Sequence, residues 1–162
     1  MFKYTICFIR RGDELLMLNR EKSIWMGRWN GVGGKVEPGE TPTECILREV
    51  KEETGISLSS VQYKGTVTWG DESQYSGGMY AYVAELPPDY VYQTPVKTEE
   101  GILDWKKIDW IVHPDNSGIA NLNYYLLQML NEKTTHEYRF IYQGDDVVAC
   151  NVFPLEEYVP IS

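Results

Sequence analysis

Three glutamates, Glu49, Glu52 and Glu53, stand at i, i+3 and i+4, a spacing that on an α-helix projects all three carboxylates from one face within about one turn. Like charges this close destabilise a bare helix, and the ordinary reading of such a triplet is a solvated acidic face. The neighbours argue for more. Gly33 and Gly34 leave room for backbone to approach a ligand closely, and Glu40 and Arg48 supply opposite charges able to pair between loop and helix. Cys45, Ile46, Val50 and Thr54 give the helix a packing face, which would hold the acidic face rigid. A rigid set of carboxylate oxygens suits Mg²⁺, a hard ion that keeps several waters and bridges carboxylates to phosphates.

The element that must present these glutamates is a helix over residues 42–54. Thr41 can cap it, Pro42 suits the first helical position, Glu44 completes a capping box, and Gly55 ends it as a left-handed cap. Before it, residues 23–40 hold too many glycines for a helix and read as a loop with one short extended piece near Trp29 to Lys35. Residues 3–9 and 14–20 read as strands around the turn Arg11-Gly12-Asp13. Further strands are expected over 61–69, 79–86 and 102–108, and a closing hairpin turns at Gln143 to Asp146. A second helix is expected from Ile119 to Glu132, with Leu122, Tyr125, Leu126, Met129 and Leu130 as its buried stripe. Strands mixed with two separated helices, without regular alternation, indicate an α+β domain with helices flanking a mixed sheet.

The chain has 162 residues, 43% of them hydrophobic, which is material for one ordinary domain spanning 1–162. No stretch approaches the roughly 20 apolar residues of a membrane span, and the N-terminus lacks the order of regions of a signal peptide, so a cytoplasmic protein is expected. Cys7, Cys45 and Cys150 are widely spaced and suggest neither a disulfide framework nor a zinc site. With 24 acidic against 15 basic residues, the net charge of −9 repels polynucleotides. An anionic ligand would then need metal ions bridging carboxylates to its phosphates.

Gly34 to Ile56 reads GKVEPGETPTECILREVKEETGI. The segment resembles the Nudix signature, GX5EX7REUXEEXGU with U a bulky aliphatic residue, and matches every specified position. The resemblance implies the Nudix fold, a mixed β-sheet sandwiched between helices. It implies metal ligation by Glu49, Glu52 and Glu53 with the Gly33 carbonyl, and an orienting role for Glu40 and Arg48. It also implies Mg²⁺ as cofactor, with Mn²⁺ as a substitute, and a metal-activated water attacking phosphorus in a nucleoside diphosphate derivative.

Beyond that box the chain is similar to the MutT-type enzymes that hydrolyse oxidised purine nucleoside triphosphates such as 8-oxo-dGTP, particularly the mammalian kind. Gly27-Arg28-Trp29-Asn30-Gly31-Val32-Gly33-Gly34-Lys35 is similar to their GRWNGFGGK. The likeness implies a base-reading amide at Asn30 and substrate contacts from Thr5, Arg20, Ile24, Lys35, Trp69, His113, Asp115 and Asn116. It adds Glu100 as an extra metal ligand. The chain departs from the mammalian pattern at Arg20 (Lys there), Ile24 (Phe), His113 (Trp) and Asn116 (Asp). His113 offers less stacking surface than Trp, and Asn116 removes a base mode that needs a protonated carboxyl at that position. The partner expected is a small nucleotide substrate, with neither polynucleotide nor membrane, and the chain is expected to be a monomer or homodimer. The competing expectations are ordinary triphosphates, a dinucleoside polyphosphate, ADP-ribose, a capped RNA end, or a module that senses a nucleotide without turnover.

Overall fold

A computed structural model describes residues 1–22 and 26–155; the Ile24 substrate contact lies outside the described residues. The strands are β1 (Tyr4–Arg11), β2 (Glu14–Arg20), β3 (Trp29–Asn30), β4 (Val32–Lys35), β5 (Gln62–Gly70), β6 (Tyr75–Leu86), β7 (Val96–Lys97), β8 (Gly101–Lys107), β9 (His136–Gln143) and β10 (Asp146–Pro154). The helices are α1 (Pro42–Thr54), α2 (Ile108–Ile111) and α3 (Leu126–Asn131), with a 3₁₀ turn over Leu122–Tyr124.

One sheet takes the order β10-β9-β5-β6-β1-β2-β8-β7, with β3 against β2 and β4 against β1. It is mixed, because β1 with β6 and β5 with β9 run parallel while the other pairs are antiparallel. Both faces are covered, so the central strands are apolar on both sides. Ile6, Phe8, Leu15, Met17, Ala81 and Val83 pack with α2, the 3₁₀ turn and α3. The alternate residues Cys7, Ile9, Leu16, Leu18, Tyr80, Tyr82 and Ala84 pack with Ile46 and Val50 of α1. This is a mixed sheet between helices, as the resemblance implies. No helix among the described residues is long and apolar enough to cross a membrane.

The fork in the sheet positions the site. The first half of β1 pairs with β4 through Tyr4 to Cys7, whereas its second half pairs with β2 through Ile9 to Arg11. The end of β2 is instead held by β3 and β8. Thr5 and Ile6 of β1 therefore face Leu18 and Arg20 of β2 across an opening that the short strands β3 and β4 only partly fill.

Three expectations need correction. The expected helix 119–132 is a 3₁₀ turn followed by the six-residue α3, because Asn121 adopts φ 60° and Tyr125 φ −143°, neither of them helical. Its stripe still reaches the core: Leu122, Tyr125, Leu126 and Met129 are buried, with Leu130 packed against them. Ile108, expected as the end of a strand, instead opens α2. β6 begins at Tyr75, earlier than expected, since Gly77 and Gly78 pair with Trp69 and Thr68 instead of forming a linker.

Candidate active site

α1 is built as its end residues require. The Thr41 hydroxyl accepts from the Glu44 N–H (3.1 Å), the Glu44 carboxylate accepts from the Thr41 N–H (2.9 Å), and Gly55 closes the helix at φ 81°. Cys45, Ile46 and Val50 are fully buried beneath it, which turns Glu49, Glu52 and Glu53 outward toward the β4 end of the fork.

Arg48 organises the acidic side chains. It donates to both oxygens of Glu40 (Nε 2.6 Å, Nη2 3.0 Å), to Glu49 (2.8 Å), to Glu52 (3.1 Å) and to the Lys35 carbonyl (3.1 Å). The fork-on-fork contact with Glu40 holds that carboxyl down to about 2, chiefly through the Arg48 hydrogen bonds. Glu53 faces the opposite condition. Burial first, then the charges of Glu49 and Glu100, push its carboxyl up to about 8, against a smaller lowering by the Gly33 backbone. Its Oε2 is buried and makes no hydrogen bond among the described residues.

A cleft of about 1020 Å³ opens beside this cluster. Of the residues singled out in the sequence, it brings together Thr5, Arg20, Asn30, Gly33, Lys35, Glu49, Glu53, Trp69 and Glu100. Glu40, Arg48 and Glu52 stand behind or beside it, with the Glu52 side chain 59% exposed. His113, Asp115 and Asn116 are not gathered there; they line a shallower groove of about 320 Å³ with Trp110, Ser117 and Gly118. The Asp115 N–H donates to the His113 ring (3.1 Å), so this segment is organised locally. Cleft residues that sequence reasoning missed include Phe2, Lys3, Gly77 and Met79. Only their nearness in the folded sheet marks them, although Lys3 carries a charge that could have drawn notice.

The glycines explain how backbone and carboxylate come so close. A Cβ on Gly34 would lie 2.4 Å from the Glu49 carboxyl carbon, and one on Gly33 would lie 2.0 Å from the Thr5 carbonyl oxygen. Among the described residues no three acidic, His or Cys side chains are gathered closely enough to hold a metal ion, and Arg48 is hydrogen-bonded to Glu49 and Glu52. The residues nevertheless fit a hard divalent cation. Such an ion takes one or two carboxylates and completes its shell with water and substrate phosphate, and the orphaned Glu53 oxygen beside Glu49 and Glu100 is a donor lacking a partner.

Comparison with known proteins agrees with this geometry. The NUDIX domain model matches residues 3–120. The uncharacterized Nudix hydrolase YvcI of Bacillus subtilis is 32% identical over 111 residues, covering 66% of each chain. The oxidized purine nucleoside triphosphate hydrolase of Mus musculus is 27% identical over 150 residues, covering 90% of this chain and 89% of its own. The crystal structure of the MutT protein from Bacillus halodurans superposes with a TM-score of 0.71 at 24% identity, over 94% of this chain and 97% of that one. Members of this family generally use a divalent metal and act on small nucleotides. The chain belongs to the Nudix hydrolase family.

Proposed function

We propose that this chain is a Mg²⁺-dependent pyrophosphohydrolase, with Mn²⁺ as an alternative metal, converting a nucleoside triphosphate to the monophosphate and pyrophosphate. Oxidised purines such as 8-oxo-dGTP are the proposed substrates. The observation that carries the reading is the buried, unpartnered Glu53 oxygen set against Glu49 and Glu100 at the wall of a nucleotide-sized cleft. The mouse relative, matched along most of this chain, bears the name oxidized purine nucleoside triphosphate hydrolase, which supports the substrate.

Glu49, Glu52, Glu53 and Glu100, with the Gly33 carbonyl, would hold the metal. A divalent cation held there would supply a coordinated water of lowered pKa and neutralising charge for phosphate oxygens. Arg48, clamped by Glu40, holds Glu49 and Glu52 in register until substrate arrives. Arg20, Lys35 and Lys3 carry the cationic charge along the cleft that the triphosphate needs. Asn30 is the base reader; its Oδ1 accepts from the Gly31 N–H at 2.8 Å, which fixes the amide plane. Thr5 and Trp69 complete the cleft contacts.

His113, Asp115 and Asn116 enter the reading as base-edge residues. Their loop is tied to the residue before Asn30 by the Trp29 N–H to Gly118 carbonyl bond (2.8 Å) and the Ala120 N–H to Trp29 carbonyl bond (3.1 Å). The chain would act as one domain over 1–162, in the cytoplasm, as a monomer or homodimer.

The test is initial-rate pyrophosphate release with Mg²⁺ from 8-oxo-dGTP, dGTP and the other triphosphates, with ADP-ribose and a dinucleoside polyphosphate in the same panel and Glu52→Gln as control. A preference for the oxidised purine of roughly tenfold or more in kcat/KM, lost in the control, supports the reading. A preference for ADP-ribose or a dinucleoside polyphosphate overturns the triphosphate assignment.

A further inference from the structure

One carboxylate outside the cleft grips both strands of the hairpin that forms the cleft's aromatic wall. Glu137 of β9 accepts from the Thr68 hydroxyl of β5 at 2.8 Å and from the Tyr75 hydroxyl of β6 at 2.6 Å, both through Oε2. Arg139, two residues on along the same face of β9, lies over the Tyr75 ring at 3.7 Å and donates to the Asp71 carbonyl at 3.0 Å. The clasp therefore joins the two strand ends and the turn between them to β9.

Trp69, Ser76, Gly77, Gly78 and Met79, the residues next along these strands, line the cleft. Trp69 is paired with Gly77, and a Cβ on Gly77 would lie 2.9 to 3.0 Å from the indole atoms Nε1, Cε2 and Cζ2. The indole thus lies across the bare glycine, in the space a side chain there would fill. Its position depends on how β5 and β6 are spaced at the turn end of the hairpin, where pairing slips between Trp69 and Gly70. Glu137 closes that end from the opposite face of the sheet: Tyr138 and Phe140 of β9 share the Trp69 side, so Glu137 and Arg139 face away from it.

We infer that Glu137 is a positioning residue for nucleotide recognition, acting through Thr68 and Tyr75 to hold Trp69 against Gly77 as the flat wall for the nucleobase. The inference rests on the nucleotide reading of the cleft. It requires Glu137 to govern how tightly the base is held, while the phosphate chemistry at Glu49 and Glu53 proceeds undisturbed once substrate is bound.

The experiment measures KM and kcat for Glu137→Ala, Glu137→Gln and Tyr75→Phe on the wild type's preferred nucleotide, together with acrylamide quenching of the Trp69 fluorescence, obtained by difference against Trp69→Phe. Glu137→Ala is expected to raise KM roughly tenfold with kcat within about twofold, and to make Trp69 more quenchable. Glu137→Gln, which keeps one oxygen acceptor, is expected to recover most of the loss. In a Trp69→Ala background, Glu137→Ala is expected to add nothing further to KM, the mark of two residues acting in series. A fall in kcat at constant KM, unchanged quenching, or full additivity with Trp69→Ala overturns the inference. A wild type that turns over no nucleoside triphosphate would refute the proposed substrate, while the quenching measurement still decides the clasp.

Discussion

Removing Arg48 tests how the acidic face is tolerated before any metal arrives. Arg48→Ala strips the bidentate partner from Glu40 and the contacts to Glu49 and Glu52 in one step. The Glu40 carboxyl falls from 4.5 to about 2 beside this guanidinium, and at about 1.4 kcal/mol per pH unit that bounds the Glu40 contribution at roughly 3 kcal/mol. The two side chains are 13% and 23% exposed, so solvent screening brings the expected loss nearer 2 kcal/mol. For a domain of this size that is about 4–8 °C in Tm. A group whose folded value is depressed stabilises the fold above its unfolded value, so the contribution is complete above about pH 4.5 and disappears as pH falls toward 2. Thermal unfolding of wild type and Arg48→Ala, followed from pH 7 down to pH 3, should therefore show a gap that narrows below pH 4.5. Arg48→Lys should restore only part of it, because an ammonium cannot make the forked contact. A gap of constant size across that range would refute the assignment of this stability to the ion pair.

Glu53 behaves in the opposite sense: its folded value, raised to about 8 from 4.5, means that metal-free stability declines as pH rises through that window. Glu53→Gln should thus be more heat-stable than wild type at pH 8.5 without metal and lose that advantage when Mg²⁺ is added, as read by calorimetric melting. Gly34→Ala should cut kcat by roughly a hundredfold with little change in Tm, since the atoms nearest the new methyl are the carboxyl end of the Glu49 side chain. Gly33→Ala meets the Thr5 backbone instead and should lower Tm through broken β1–β4 pairing, seen in the same melts.

How far the sequence reached depends on whether a feature is local. The α1 boundaries follow from Thr41, Pro42, Glu44 and Gly55, each acting within a few residues, and the structure places the helix at Pro42–Thr54. The glycine-rich run before it read as a loop with one short extended piece near Trp29 to Lys35, where the structure has β3 and β4; that these pair with β2 and β1 is what the pattern alone does not reveal. Gly77 and Gly78 fall between the expected strands 61–69 and 79–86 for the same reason: their place in β6 is set by Trp69 and Thr68 across the hairpin. The fixed spacing of one helix is enough to group Glu49, Glu52 and Glu53, whereas Glu100 joins Glu53 only through the β2–β8 ladder that ends at Arg20 and Gly101. The separation of His113, Asp115 and Asn116 from the main cleft depends on how the loop after α2 seats against Trp29, a tertiary matter with no sequence signature.

We propose that Glu53, influenced by the nearby Glu49 and Glu100, directs metal-dependent cleavage between the α and β phosphates of a nucleoside triphosphate. Product analysis of that triphosphate after turnover, with and without EDTA and with Glu53→Gln, tests it most directly. Nucleoside monophosphate and pyrophosphate are expected in Mg²⁺, and no products in EDTA or with the variant. Formation of nucleoside diphosphate and orthophosphate, or turnover indifferent to EDTA, would contradict it.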